Sequence, residues 1–164
     1  MPKTRRINKQ EHGFTIIELI TAVAILGILS TIALPGVLKQ LYKSKQQACA
    51  AEMSLAMTTS LNFYNEYGYE PAGWADLNEI AAIMTMNGPA SDSGFPEINI
   101  NNDYKMGASI SSSNSQTTVY NFNCSATNTA ALNYDVKGCI RLLNGALQIN
   151  LGDASAPAKT PVCI

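Results

Sequence analysis

With 164 residues, 46% of them hydrophobic and only 14% charged, the chain is long enough for one globular domain plus an apolar segment and too short for two ordinary domains. Its formal net charge is −1, but Lys3, Arg5, Arg6 and Lys9 stand at the front against Glu11 alone, and the remainder from Phe14 onward is acidic on balance. A nucleic-acid binder needs its basic residues on the folded body, so that class is excluded, and Cys49, Cys124, Cys139 and Cys163 form no CxxC pair, which argues against zinc fingers and redox dithiols.

The first predicted element runs from Phe14 to Leu34, 21 residues with a single charge, Glu18. As a helix it is roughly 31 Å long, close to the hydrocarbon thickness of a bilayer. The basic residues just before it keep the N-terminus in the cytoplasm by the positive-inside rule, so the rest of the chain is expected outside. A secretory signal would be shorter and end in a small-residue cleavage site, and Ala33-Leu34-Pro35 is a poor one. A plain anchor helix explains the length and the orientation but leaves Glu18 without a purpose.

The stretch Gly13-Phe14-Thr15-Ile16-Ile17-Glu18, with the basic leader before it and the apolar Leu19–Leu34 run ending at Pro35, resembles the processing site of type IV pilins and type II secretion pseudopilins. The resemblance covers about residues 3–36, and the body beyond residue 70 does not pick out a subfamily. It implies a prepilin peptidase cutting between Gly13 and Phe14, N-methylation of the new Phe14 amine, and filament assembly through Phe14, Thr15 and Glu18. It also implies Gly27, Pro35 and Gly36 as places where the helix can unwind in a filament. The implied organisation is a cleaved leader (1–13), a transmembrane or filament-core helix (14–36), and an amphipathic helix half with a globular head (37–164). The fold class is α+β, a long N-terminal helix packed on a small antiparallel sheet. The implied partners are further copies of the chain and related pilins in a helical filament, the peptidase and methyltransferase, inner-membrane assembly machinery, and the membrane itself before assembly. Contact with DNA would be indirect at most.

In this setting Glu18 acquires a purpose. A carboxylate near a helix end is tolerable in a membrane. In a packed bundle it needs a counter-ion, and cleavage supplies one as the Phe14 amine. Pairing between neighbouring subunits would favour one axial register, as a lone polar residue does in a coiled coil. The amine can also fold back on its own Glu18, four residues or about 6 Å along the axis. Thr15 can add a hydrogen bond to the same cluster.

Pro35-Gly36 is a breaker pair that predicts a kink. From Val37 the chain holds no Pro or Gly until Gly68. Leu38, Leu41, Tyr42, Ala48, Cys49, Met53, Ala56, Leu61 and Tyr64 recur near a 3.6-residue period, with Lys39, Lys43, Gln46 and Gln47 on the other side. Gly68 and Pro71 end this helix, and Phe14 to about Tyr67 would span roughly 80 Å if straight.

A short helix is expected from Ala75 to about Met84, with Leu77, Ile80, Ala81 and Met84 on one side. Residues 87–103 read as loop. Asp92, Glu97, Asn99 and Asp103 lack EF-hand spacing, so no metal site is expected. Polar residues 109–118 predict an exposed loop or edge. Thr118, Tyr120, Phe122 and Cys124 then alternate, as do Leu132, Tyr134 and Val136. Asn144-Gly145 predicts a two-residue type I′ hairpin pairing Leu143 with Ala146, Leu142 with Leu147 and Ile140 with Ile149. That register puts Ile140, Leu142, Leu147, Ile149 and Leu151 on one face and Cys139 on the other.

Four cysteines allow three connectivities, and the export orientation favours disulfides. Parity suggests Cys49–Cys124 on the inner face and Cys139–Cys163 stapling the tail. Cys124–Cys139 with Cys49–Cys163, and Cys49–Cys139 with Cys124–Cys163, stay open. His12, the only histidine, lies in the leader. No nucleophile elbow, phosphate loop or zinc spacing occurs, and Asp76 and Glu79 are one turn apart on a solvated helix face. An enzyme is therefore not expected, nor is a cofactor. Three functions remain open. One is a type IV pilus subunit serving adhesion, motility or DNA uptake. The second is a secretion pseudopilin forming a periplasmic piston, and the third is an anchored binding module. The expected location is the bacterial inner membrane before assembly, and an extracellular pilus or periplasmic pseudopilus afterwards.

Overall fold

The computed structural model describes residues 13–112 and 118–164. The basic residues before Gly13, and residues 113–117 of the polar stretch, lie outside the described residues. Two compact units meet in sequence between Leu38 and Lys39. Helix α1, Ile16–Tyr67, contributes to both and includes Gly27, Pro35 and Gly36 within its 52 residues. Pro35, read from sequence as a kink, thus lies inside one continuous helix. What is lost there is the hydrogen bond that a non-proline residue would give to the Thr31 carbonyl, four residues back.

In the first unit the described residues are exposed, and the apolar window of α1 buries nothing of its own. With a mean hydropathy of 2.3, that window is long and apolar enough to cross a membrane.

The second unit packs the later half of α1 on an antiparallel sheet. The elements after α1 are helix α2 (Trp74–Leu77), strands β1 (Met84–Thr85), β2 (Gly88–Pro89), β3 (Ile98–Asn99), β4 (Tyr104–Ser112) and β5 (Thr118–Ala126), a 3-10 turn at Thr129–Ala131, then β6 (Val136–Arg141) and β7 (Ala146–Leu151). Strands β1 and β2 form a small ribbon, while β3-β4-β5-β6-β7 form one sheet in that order. Every pairing in it is antiparallel. The α+β architecture, a long N-terminal helix with an antiparallel sheet, is the one expected from sequence.

The alternation in β5 fixes which face packs inward. Thr118, Tyr120, Phe122, Cys124 and Ala126 are all buried, as the period-2 pattern requires. They face Cys49, Met53, Ala56, Met57 and Phe63 of α1 in the same core. Gly138 lets the helix lie close: a Cβ there would meet Met53 Sδ at 2.7 Å and Met57 Cε at 3.0 Å. Trp74 closes one end, donating its indole N–H to the Pro96 carbonyl at 2.9 Å and meeting Phe95 edge-on. At the helix terminus Gly68 takes φ +73° and donates to the Tyr64 carbonyl, a left-handed cap that a side chain would strain.

Four expectations are corrected. Gln46, placed outward, is buried; its amide donates to the Asp135 and Gly152 carbonyls at 3.0 and 2.7 Å. The helix expected over 75–84 stops after Leu77. Asn78 there donates to the Ala90 carbonyl and accepts from Ile83 N–H, turning the chain into β1. Residues 109–112, expected as an exposed loop or edge, take the second form: they are the end of β4, paired there with β5 alone, and a polar run suits a sheet edge that meets solvent. Leu132 is exposed because it follows the 3-10 turn rather than sitting in a strand. The last hairpin pairs Arg141 with Ala146, Ile140 with Leu147 and Gly138 with Ile149, so its loop is Leu142–Gly145 instead of two residues. A type I′ turn needs positive φ at both loop residues, and among the described residues only glycines, Gly145 included, take it. Asn144 uses its side chain instead, accepting from Ala146 N–H and donating to the Ile164 carbonyl. The slip is two residues, so parity is kept, but β7 is an edge strand and Leu147 and Leu151 remain 45% and 51% exposed.

Disulfides join Cys49 to Cys124 and Cys139 to Cys163. The tail is further held by Asp135, which accepts from Ala158 N–H at 2.6 Å, and by Gln148, which accepts from Val162 N–H.

Two buried phenols give the head an alkaline limit. Tyr104 donates to the Tyr134 carbonyl and Tyr120 to the Pro71 carbonyl. Burial, then Asp103 and Asp135, pushes Tyr104 from 10.0 up to about 12. Burial, then Glu70 and Asp76, raises Tyr120 as well. The folded chain keeps protons that the unfolded chain releases. The contribution of these phenols to stability is therefore full below about pH 10 and falls as pH rises toward 12. Thermal melts followed by circular dichroism should show midpoints dropping from about pH 10 upward, with Tyr120→Phe flattening the slope. A flat wild-type profile over that range would contradict this.

Candidate functional site

The sequence-predicted site lies at the start of α1. Gly13, Phe14 and Thr15 are exposed and outside the helix, so the Gly13–Phe14 peptide is unencumbered by helical hydrogen bonds. Phe14 is 85% exposed.

Thr15 and Glu18 form a capping box, reciprocal bonds that satisfy donors left free at a helix start. Glu18 Oε2 accepts from Thr15 N–H at 2.9 Å and from Thr15 Oγ1–H at 2.7 Å. Thr15 Oγ1 in turn accepts from Glu18 N–H at 3.4 Å. The carboxylate is thus fixed one turn into the helix with Oε1 outside this network. The T-x-x-E spacing signals such a box, and the sequence reading gave both residues to filament assembly without seeing it.

Beyond Glu18 the polar side chains of the apolar stretch are satisfied by the helix itself. Thr21 donates to the Ile17 and Glu18 carbonyls, Ser30 to Leu26 and Thr31 to Ile28. Such back-bonding suits hydrocarbon, where an unsatisfied polar group costs several kcal/mol. Glu18 is left as the single charge on an otherwise apolar surface of Ile16, Ile17, Leu19, Ile20 and Val23, all well exposed. Chemically, such a surface can insert into lipid or pack on like helices, with one anion available for one cation.

Of the residues weighed as a calcium loop, Asp92, Glu97 and Asn99 line one cavity and Asp103 is engaged elsewhere. Asp103 pairs with Lys45 at 2.7 Å, and Asp92 gives its backbone carbonyl to Ala75 N–H. Among the described residues no cluster of three or more metal-binding side chains forms. Sequence reasoning also missed a cavity beside Lys39, Lys43 and Tyr134; no local pattern links residues so far apart.

Residues 8–34 match the family model described as the prokaryotic N-terminal methylation motif. The chain is similar to the type IV major pilin protein PilA of Myxococcus xanthus (strain DK1622), with 29% identity over 126 residues, covering 65% of this chain and 56% of that protein. The chain thus spans a little over half the length of that curated relative. No solved structure matches it. The methylation motif laid over the Gly13–Phe14 junction, the likeness to a type IV pilin that continues into the head, and a long N-terminal helix with an antiparallel sheet together make this chain similar to the type IV pilins.

Proposed function

We propose that this chain is a structural subunit of a type IV pilus. A prepilin peptidase removes the leader between Gly13 and Phe14, the Phe14 amine is N-methylated, and inner-membrane machinery assembles the subunit into a helical filament with further copies and related pilins. The filament then serves adhesion, motility or DNA uptake. The observation that carries this reading is the start of α1: one anchored carboxylate, Glu18, followed by an apolar surface that buries nothing within its own chain. The relative's description as a major pilin favours a pilus over a secretion pseudopilus. Before assembly the apolar half of α1 spans the inner membrane with the head outside. In the filament it packs on sister helices, and Phe14 of one subunit meets Glu18 of another. Gly27, Pro35 and Gly36 have the weakest hold on helical backbone, so α1 unwinds there if packing requires it. The subunit has no catalytic task.

N-terminal sequencing and intact mass of the protein in filaments sheared from the cell surface test the reading. Subunits should begin at Phe14 and carry one added methyl group. Filaments built of chains that begin at Met1 would overturn it. Loss of exoprotein export on deletion, with no surface filaments, would transfer the subunit to a secretion pseudopilus.

A further inference from the structure

Beyond the helix start, polar groups gather at a cavity of about 340 Å³ within the second unit, walled by Lys39, Gln40, Lys43, Tyr134, Asp153 and Ser155. Lys39 and Lys43 are one turn apart on α1 and share a side of the helix. Neither enters an ion pair among the described residues; the pairs formed there use Lys45 and Lys137. Tyr134 is only 4% exposed and its ring packs on Tyr42 with centroids 5.6 Å apart. Tyr134 lines the cavity; its carbonyl is engaged by Tyr104, but its hydroxyl bonds no described residue.

Asp153 is the one acidic group in the wall, and its own turn holds it. Oδ1 accepts from Ser155 N–H at 2.7 Å, Ser155 Oγ–H at 2.5 Å and Ala156 N–H at 3.0 Å. These bonds, with Lys43 nearby, keep its carboxyl below the usual range. Two cations and a free phenol therefore outweigh one well-satisfied anion, and the cavity suits an anion with hydrogen-bond acceptors.

The covalent chain says which anion is at hand. Leu34 closes the uncharged run, and Lys39 follows five residues later in the same helix. Five helical residues rise about 8 Å. The headgroup layer on each side of the hydrocarbon is about 5–8 Å deep. With the apolar run in a bilayer, so short a connection keeps Lys39 beside the headgroup layer, and Lys43, one turn on, can reach back to it with its long side chain. The positive-inside bias disfavours cations on this translocated flank, so two of them beside a cavity call for a counter-charge.

We infer that Lys39, Lys43 and Tyr134 form a binding site for the phosphate of an anionic phospholipid headgroup in the outer leaflet of the membrane that the subunit crosses. Both ammonium groups contact the phosphate oxygens and the Tyr134 hydroxyl donates a hydrogen bond. The site goes beyond the pilus reading and needs only the membrane span; a variant that forms no filaments should still bind lipid.

The test uses the full chain in micelles of an uncharged maltoside detergent, titrated with dihexanoylphosphatidylglycerol and followed by native mass spectrometry. One lipid should be retained per chain. Lys39→Gln with Lys43→Gln should weaken retention about 30-fold, from the usual effect of two lysines near an anionic surface. Tyr134→Phe, which keeps the ring against Tyr42, should weaken it about 3-fold or more through one lost hydrogen bond, and Lys159→Gln should leave it unchanged. Equal retention by the double lysine variant would overturn the site. Equal occupancy by inorganic phosphate at the same concentration would overturn its assignment to lipid. A dimer present without lipid and lost in the lysine variant would also overturn it, showing that the cavity receives an acidic segment of a second copy.

Discussion

Glu18→Ala is expected to abolish filament assembly while leaving membrane insertion and leader removal intact. Two roles meet in this side chain, and the structure separates them. The first is local: Glu18 closes the capping box with Thr15, a feature whose loss costs about 0.5–2 kcal/mol. The second is the proposed pairing with a neighbour's Phe14 amine. Removing one partner of a desolvated ion pair costs about 3–5 kcal/mol, more than 100-fold in the constant for adding a subunit. Glu18→Gln distinguishes them, because glutamine also closes a capping box but carries no charge. Glutamine and alanine should therefore fail alike, as read by the yield of sheared filaments against processed subunit in the membrane. Near-normal yield with glutamine would mean that the cap, and not the charge, is what assembly needs.

Removal of the Cys49–Cys124 disulfide, as Cys49→Ala with Cys124→Ala, should destabilise the head more than any single surface change. The bond ties α1 to β5 across 75 residues of sequence. The chain-entropy relation gives about 4.5 kcal/mol for such a loop, against about 3.5 for the 24-residue separation of Cys139–Cys163. Domains of this size have roughly 5–15 kcal/mol in total, so the first loss takes a large share. A melting midpoint lowered by about 15 °C is expected for the full chain in detergent. Removing Cys139–Cys163 should act more locally. Hydrogen exchange at Ala158 N–H, which the tail donates to Asp135, should speed up well before the core loosens. A Cys49/Cys124 variant melting within about 3 °C of the parent would show that packing of Met53 and Met57 on Gly138 holds the head without the cross-link.

What could be read in advance was whatever a local period controls. The Phe14–Leu34 run, the span of α1 and the inward face of β5 each follow from side chains repeating at a fixed interval, and the structure contains all three. The misplaced residues depend on partners distant in sequence. Gln46 looked outward because it is polar, yet its acceptors are 89 and 106 residues away. The Ser-rich part of β4 was legible as exposed, but the choice between loop and edge strand was not, because its register comes from β5. Asn144-Gly145 carried a true turn signal, but Asn144 spends its amide on the C-terminal residue, and the hairpin closes two residues earlier. At the helix start the opposite happened. The T-x-x-E spacing was local and legible, and the resemblance to a filament motif drew attention from the ordinary cap it also encodes.

The nakedness of the early part of α1 constrains how any polymer of this chain can lengthen. Its apolar window covers none of itself, and each large side chain there would forfeit about 1.5–3 kcal/mol in water. Over a full span that is tens of kcal/mol, so no protomer can wait dissolved on one side and diffuse to a distant tip. In the proposed pilus, departure from the bilayer and arrival in the fibre would then be a single hand-over at the membrane, with growth from the root pushing older material outward.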